Sequence, residues 1–262
     1  MSEDRRMEQF KIDLNPEAKV DKVIGIVSGK GGVGKSLVTS LVANSTAARG
    51  INTAIFDADI TGPSIPKCYG LNSKATVEGE TIIPVRTDNG IQVMSINLLL
   101  EDVTQPVIFR GPVIANTVRQ FWTDVLWDDV GVMYVDMPPG TGDVPLTVFQ
   151  SLPLDGIIVV ASPQDLVNMV VEKAVNMATM MRIPILALVE NMAYYECPDC
   201  GKKHKIYGDS HLAEVAAKHR ATKDSPIIEI PIMPEIAKLC DEGRIYDYKN
   251  NLFDGLLDSI VD

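Results

Sequence analysis

The run Gly29-Lys30-Gly31-Gly32-Val33-Gly34-Lys35-Ser36 fits the pattern G-x-x-x-x-G-K-[ST]. Glycines in such a run let successive backbone N–H groups turn inward around anionic oxygens. The lysine that closes the pattern reaches the β- and γ-phosphates of a nucleoside triphosphate, and the hydroxyl beside it coordinates magnesium. Lys35 and Ser36 take those places, which points to ATP with Mg²⁺ as the ligand. The alternative is a glycine-rich turn that binds nothing. Context argues against it: the apolar run 23–28 (VIGIVS) precedes the loop and a helical pattern over 35–49 follows. The N-terminus of that helix adds partial positive charge where phosphate would sit.

Carboxylates follow at strand ends. The run 53–57 (TAIFD) leads into Asp57-Ala58-Asp59, and 132–136 (VMYVD) ends on Asp136. A carboxylate in such a place orients an attacking water or holds magnesium through its water shell. Asp136 after an apolar strand has the Walker B pattern and is expected at the magnesium. The prolines and glycines of the loop 137–143 suit a switch that senses the γ-phosphate. Asp57 and Asp59 precede Gly62-Pro63, so a capped turn is the competing reading for either. Asn191, after ILALVE, offers a donor and an acceptor to an adenine edge, with the backbone near Pro231 closing the pocket; a plain turn residue is the alternative.

A second chemistry lies in Cys197-Pro198-Asp199-Cys200-Gly201. Pro198 and Gly201 shape a turn that presents both sulfurs to one metal, and a bound cation favours the thiolates that ligate it. Three occupants remain open: an iron–sulfur cluster, a zinc ion completed by His204 and His211, or a redox disulfide. Cys68 and Cys240 stand alone among apolar neighbours and read as small buried hydrophobes. His219 reads as a helix-surface residue.

These residues need a frame. Strand, Gly-rich loop, helix and strand make a βαβ unit and hence a parallel sheet. Apolar runs at 156–161, 185–189 and 227–230 alternate with helical stretches at 113–126 and 166–181. The fold expected is α/β: a doubly wound, mostly parallel sheet of one P-loop domain over 21–262. Residues 1–20 are expected to be a flexible arm. Residues 81–85 and 91–96 are expected to form a small hairpin excursion around Asp88-Asn89-Gly90. A loop insertion at about 193–208 carries the cysteine pair, and 250–262 is expected to be a terminal helix packed on the body. The 262 residues are 46% hydrophobic with a formal charge of −11, which argues against nucleic acid and anionic membranes as partners. The polar start and the absence of a long apolar run place the chain in a reducing cytoplasm.

Lys30 extends the loop pattern to K-G-G-x-G-K-[ST], which resembles the deviant Walker A class of the Min, Par and nitrogenase iron-protein ATPases. The segments DADITGPSIP (57–66), RGP (110–112), DMPPGTGDV (136–144), ASPQD (161–165) and ENM-x-Y-x-x-CPxCG (190–201) resemble the Mrp/ApbC family of iron–sulfur cluster carriers within it. The matches run from about residue 23 to 236. The resemblance implies that Lys30 reaches a partner's nucleotide across a homodimer, that Asp59 serves the attacking water and that Asp57 belongs to the magnesium surroundings. It further implies that Cys197 and Cys200 of two subunits share a [4Fe–4S] cluster, since such a cluster takes four cysteines. The cluster would come from a donor and pass to apo iron–sulfur proteins, with slow ATP hydrolysis. The rival readings are a Min/Par-type spatial-organising ATPase and a zinc-binding P-loop NTPase.

Overall fold

The computed structural model describes residues 12–60, 62–100, 111–140, 142–163 and 167–261. Arg110, Thr61, Thr141, the Gln164–Asp165 pair and residues 1–11, all singled out above, lie outside the described residues.

The elements in chain order are β1 (Val20–Val27), α1 (Lys35–Ala48), β2 (Thr53–Asp57), α2 (Ile65–Cys68), β3 (Thr76–Glu78), β4 (Thr81–Ile83), β5 (Val85–Arg86) and β6 (Gln92–Met94). Then come α3 (Gly111–Thr123), β7 (Val130–Asp136), α4 (Asp143–Ser151), β8 (Gly156–Ala161), α5 (Val167–Met180) and β9 (Ile185–Asn191). The chain closes with β10 (Tyr195–Glu196), β11 (Lys203–His204), α6 (Leu212–Lys218), β12 (Ile227–Ile230), α7 (Pro234–Asp241) and α8 (Asp254–Val261). The main sheet runs β12-β9-β8-β1-β7-β2-β6-β5, and every neighbour pair in it is parallel except β5 with β6.

Both faces of this sheet are covered, which is why its strands are continuous apolar runs rather than alternating ones. Along β1, Val23 and Val27 enter one core and Ile24 and Ile26 the other. The first core gathers Phe121 from α3, Phe149 from α4, Val175 from α5 and Val215 from α6. The second gathers Leu41 from α1, Ile236 from α7 and Leu257 from α8. The two-residue period of the strand thus distributes side chains between two helical layers. Parallel pairing brings the carboxyl ends of β1, β2 and β7 to one edge: Asp57 is level with Asp136, and Ile26 with Asp136. A sheet of this kind binds ligands at that edge.

Two expectations change in the structure. The loose arm over 1–20 does not extend through its described part. The Ile12 amide donates to the Ser151 carbonyl at 3.1 Å, Trp122 Nε1 donates to the Ile12 carbonyl at 3.0 Å, and Ile12 and Leu14 pack on the first core. The hairpin excursion divides. Pro84, which lacks an N–H, separates β4 from β5. β6 joins the main sheet beside β2, with Ile55 level with Val93, and β3 with β4 forms a separate hairpin. The terminal helix is present as α8, and Arg49 pairs with Asp258 at 2.6 Å to hold it.

The first core is dominated by Trp127, fully buried, with its ring 6.2 Å from Phe56 and its Nε1 donating to the Phe121 carbonyl at 3.2 Å. Trp127→Ala is expected to lower unfolding free energy by about 3–5 kcal/mol in urea titrations, because the emptied volume cannot collapse between sheet and helix.

Candidate functional site

The chain leaves β1 at Val27 and enters α1 at Lys35 through the glycine loop. Gly32 and Gly34 have φ of 84° and 85°, in the left-handed region that a side chain disfavours. Gly34 has a second reason to be glycine. A Cβ there would lie 2.1 Å from Nδ2 of Asn191. That amide nitrogen donates to the Val33 carbonyl at 2.9 Å, and Asn191 is buried. Expected at an adenine edge, Asn191 has in this structure an amide that braces the phosphate loop from beneath. The physical reason is position: Asn191 ends β9 under the loop, where its amide meets a backbone carbonyl.

Lys35 is the charge centre of the site. It is buried, with Nζ 2.8 Å from Asp136 Oδ1 and 3.5 Å from Asp59 Oδ2. Burial lowers its pKa, and the Asp136, Asp59 and Asp57 carboxylates outweigh that and hold it above its ordinary value. Asp136 is fully buried and accepts three hydrogen bonds. Lys35 Nζ and Thr39 Oγ1, at 2.8 and 2.9 Å, share Oδ1; Ser36 Oγ, at 2.6 Å, takes Oδ2. Ser36 and Asp136, read from sequence as the magnesium pair, are therefore side by side, and a hydroxyl beside a carboxylate is a donor set that suits a hard cation.

Asp57 sits behind this front. It accepts from Ser95 Oγ at 2.9 Å and from the Asp59 amide at 3.2 Å. Burial, and then the Asp136 charge, raises its pKa well above the usual carboxylate range. Asp57 thereby shapes the turn that carries Asp59, which is the capped-turn reading and the functional one at once. Ser95 is a site residue that sequence reasoning missed; it follows a short strand and carries no motif.

The loop after β7 lies against the phosphate loop. The Gly140 amide donates to the Ser28 carbonyl at 2.9 Å, and the Met137 amide to Ile26 at 3.1 Å. Pro139, Asp59, Gly62, Lys35 and Ser36 help line a cavity of about 360 Å³. Lys30 stands exposed on the rim side of the loop, and the Ser28 hydroxyl donates to its carbonyl at 3.0 Å. Gly29, Gly31 and Val33 complete the run.

The cysteine insertion is a β-hairpin. Tyr195 pairs with His204 and Glu196 with Lys203. At its tip the Cys197 amide donates to the Lys202 carbonyl and the Gly201 amide to the Cys197 carbonyl, at 3.0 and 2.9 Å, with Gly201 at φ 67°. The backbone N–H of Asp199, then that of Cys200, then the Cys200 thiol lower the pKa of Cys197. The tip is thus tuned toward the thiolate form that metals take. His204 belongs to the hairpin strand, and among the described residues no three His, Cys, Asp or Glu side chains gather to hold a metal. The alternative zinc set with His204 and His211 is not assembled among the described residues.

The hairpin grows from β9. The strand ends on Asn191, Met192 follows with φ 59°, a strained value for a non-glycine residue, and the Ala193 amide pairs back to the Ile230 carbonyl at 3.0 Å. The phosphate loop and the thiol tip are thus joined by a few residues of taut backbone.

A family model described as NUBPL iron-transfer P-loop NTPase, of the ParA group, matches residues 19–261. Among curated proteins, the iron-sulfur cluster carrier protein of Clostridium perfringens is 40% identical over 238 residues, covering 87% of this chain and 82% of that protein. The iron-sulfur cluster carrier protein of Methanocaldococcus jannaschii is 44% identical, covering 73% and 67%. Among solved structures, a nucleotide-binding protein from Archaeoglobus fulgidus in complex with ADP, with cobalt found, superposes with a TM-score of 0.80 at 42% identity, covering 90% of this chain and 91% of that one. The MinD cell division protein of Aquifex aeolicus superposes at 0.62 with 18% identity, covering 91% and 94%, which shows the shared fold.

The buried Asp57 yields a pH prediction. Its folded pKa lies above its unfolded value. Its stabilising contribution is therefore complete below the usual carboxylate range and is lost as pH rises through the folded value. In protein prepared without nucleotide or magnesium, urea denaturation between about pH 5 and 8 should show stability falling. Asp57→Asn, which still accepts from Ser95, should flatten that fall. An equal slope in both proteins contradicts the assignment.

Proposed function

The chain belongs to the family of NUBPL iron-transfer P-loop NTPases, and on that premise we propose that it is an ATP-driven carrier that holds an iron–sulfur cluster between two subunits and passes it to apo-proteins. The observation that carries this reading is the hairpin tip, where a turn closed by the Cys197 and Gly201 amides brings Cys197 and Cys200 together. Two sulfurs per chain make half of a four-cysteine cage, and a two-fold pair of chains completes it. The cluster is cargo, a [4Fe–4S] unit in this proposal, delivered by a donor and released to a recipient.

The nucleotide half of the cycle follows from the charges. Lys35 exchanges the Asp136 and Asp59 carboxylates for the β- and γ-phosphates, and the glycine-loop amides take the remaining oxygens. Ser36 and Asp136 hold the magnesium ion, which supplies neutralising charge on the phosphates. Asp59 orients the attacking water, and Lys30 of one subunit reaches the nucleotide of the other as a trans cation. The displaced carboxylates and the loop after β7 reorder, and the shift passes through Asn191 and Met192 into the hairpin that grips the cluster. A cysteine pair on a hairpin tip and a labile cluster suit the reducing interior of a cell.

The test is anaerobic reconstitution followed by iron and sulfide counting. The reading predicts about four irons and four sulfides per two chains, in material that sediments as a dimer. Cys197→Ala should lose the cluster and keep nucleotide binding. A cluster undiminished in that variant, or wild-type protein that takes up no iron, would sink the proposal.

A further inference from the structure

The two cysteines outside the hairpin meet in the fold. Cys68 ends α2 and Cys240 lies in α7, and these two helices pack together. The contact is pinned beside the cysteines at two places. Lys67 Nζ stands 3.4 Å from Asp241 Oδ1, one residue away from each cysteine. Beyond them, a Cβ on Gly243 would fall 2.5 Å from the Gly70 Cα, so the two backbones touch there. Both glycines have positive φ, 63° and 71°, which lets the turns that follow the helices close on one another. Beside these contacts the Cys68 and Cys240 side chains are neighbours, near enough for each thiol to shift the other. Cys68 also lines the cavity that contains Lys35, Ser36 and Asp59, and its amide donates to the Ser64 carbonyl at 3.2 Å in the turn that follows the Asp59 loop.

We propose that Cys68 and Cys240 are a redox site distinct from the Cys197–Cys200 hairpin, and that a disulfide between them ties α2 to α7 and restrains the nucleotide cavity. The two thiols are already unequal. The Cys68 thiol lowers the pKa of Cys240, while Cys240 and then burial raise that of Cys68. Cys240 is therefore the attacking sulfur and Cys68 the resolving one. The oxidant is a low-molecular-weight disulfide. The Cys240 thiolate attacks one of its sulfurs, forms a mixed disulfide and expels a small thiolate, which takes a proton from solvent. Cys68 then attacks the Cys240 sulfur, gives its proton to the second departing thiolate and closes the protein disulfide. Two protein thiols are oxidised and one small disulfide is reduced to two thiols. In a reducing compartment such a bond is transient and serves as a sensor rather than a staple.

The bond changes nucleotide handling because α2 begins at Ile65, shortly after Asp59, whose carbonyl accepts from the Gly62 amide at 3.2 Å: tying α2 to α7 limits how far that turn moves when nucleotide enters or leaves. This inference rests on the nucleotide site and stands whether or not the hairpin carries a cluster.

The experiment treats the full chain with oxidised glutathione, blocks remaining thiols, and maps linked peptides by mass spectrometry. In parallel, release of a fluorescent ADP analogue is timed. The expected result is a peptide joining Cys68 to Cys240, with ADP release slowed about fivefold or more, the lower end of ordinary coupling between sites. Dithiothreitol should restore the faster rate. Cys240→Ser and, as a second variant, Cys68→Ala should form no such peptide and show no slowing on oxidation. Absence of the Cys68–Cys240 peptide under conditions that oxidise Cys197 and Cys200 overturns the proposal. So does a fully formed bond that leaves ADP release unchanged.

Discussion

The Asn191 amide, the Val33 carbonyl and the bare Cα of Gly34 make one contact that joins the phosphate loop to the root of the thiol hairpin. Asn191 is the last residue of a strand at the carboxyl edge of the sheet, and its 2.9 Å hydrogen bond reaches into the middle of the phosphate loop. No larger residue than glycine fits opposite it, since an added Cβ would stand 2.1 Å from the amide nitrogen. The loop's shape is thus set partly by the end of β9, and the end of β9 is the root of the thiol hairpin. A buried hydrogen bond of this kind is costly to break without replacement. Any rearrangement of the loop around phosphate is therefore felt at Asn191, and the strained Met192 beside it is where the backbone can yield.

The charge balance gives that rearrangement a cause. One buried ammonium, on Lys35, stands among Asp136, Asp59 and Asp57. Three carboxyl groups share one cation, and burial, then the Asp136 charge, raises the pKa of Asp57. A cation at Ser36 and Asp136 adds positive charge there, and phosphates give Lys35 new partners. On the proposed reading, nucleotide and magnesium therefore enter the site as a unit.

The parts of the fold that were legible in the sequence are those where local pattern and tertiary burial agree. Residues 23–28, 53–57 and 132–136 are mostly apolar because helices cover both faces of the sheet, and their carboxyl ends carry the motif residues. The glycine loop was legible because its geometry requires positive φ at Gly32 and Gly34. What the sequence hid depends on partners distant along the chain. Asn191 offers an amide to anything nearby, and only the fold shows that the acceptor is Val33. Ile12 and Leu14 sit in a polar segment, yet their docking on the first core makes that segment part of the body. Residues 91–96 form a hairpin strand by local signs and a main-sheet strand by position, because β2 offers a free edge. Cys68 and Cys240 each look solitary, and only the packing of two helices joins them. His204 looked available to a metal; pairing with Tyr195 commits its backbone to the hairpin.

The link from phosphate loop to thiol tip is tested most directly by amide hydrogen exchange in the hairpin. The amides of Cys197 and Gly201, which close the tip, are followed with and without magnesium-ATP. Their exchange is predicted to change when nucleotide binds, and that change should vanish in Asn191→Ala while the phosphate-loop amides still respond. Hairpin amides indifferent to ATP in the wild-type protein, beside a phosphate loop that is plainly protected, would contradict the account.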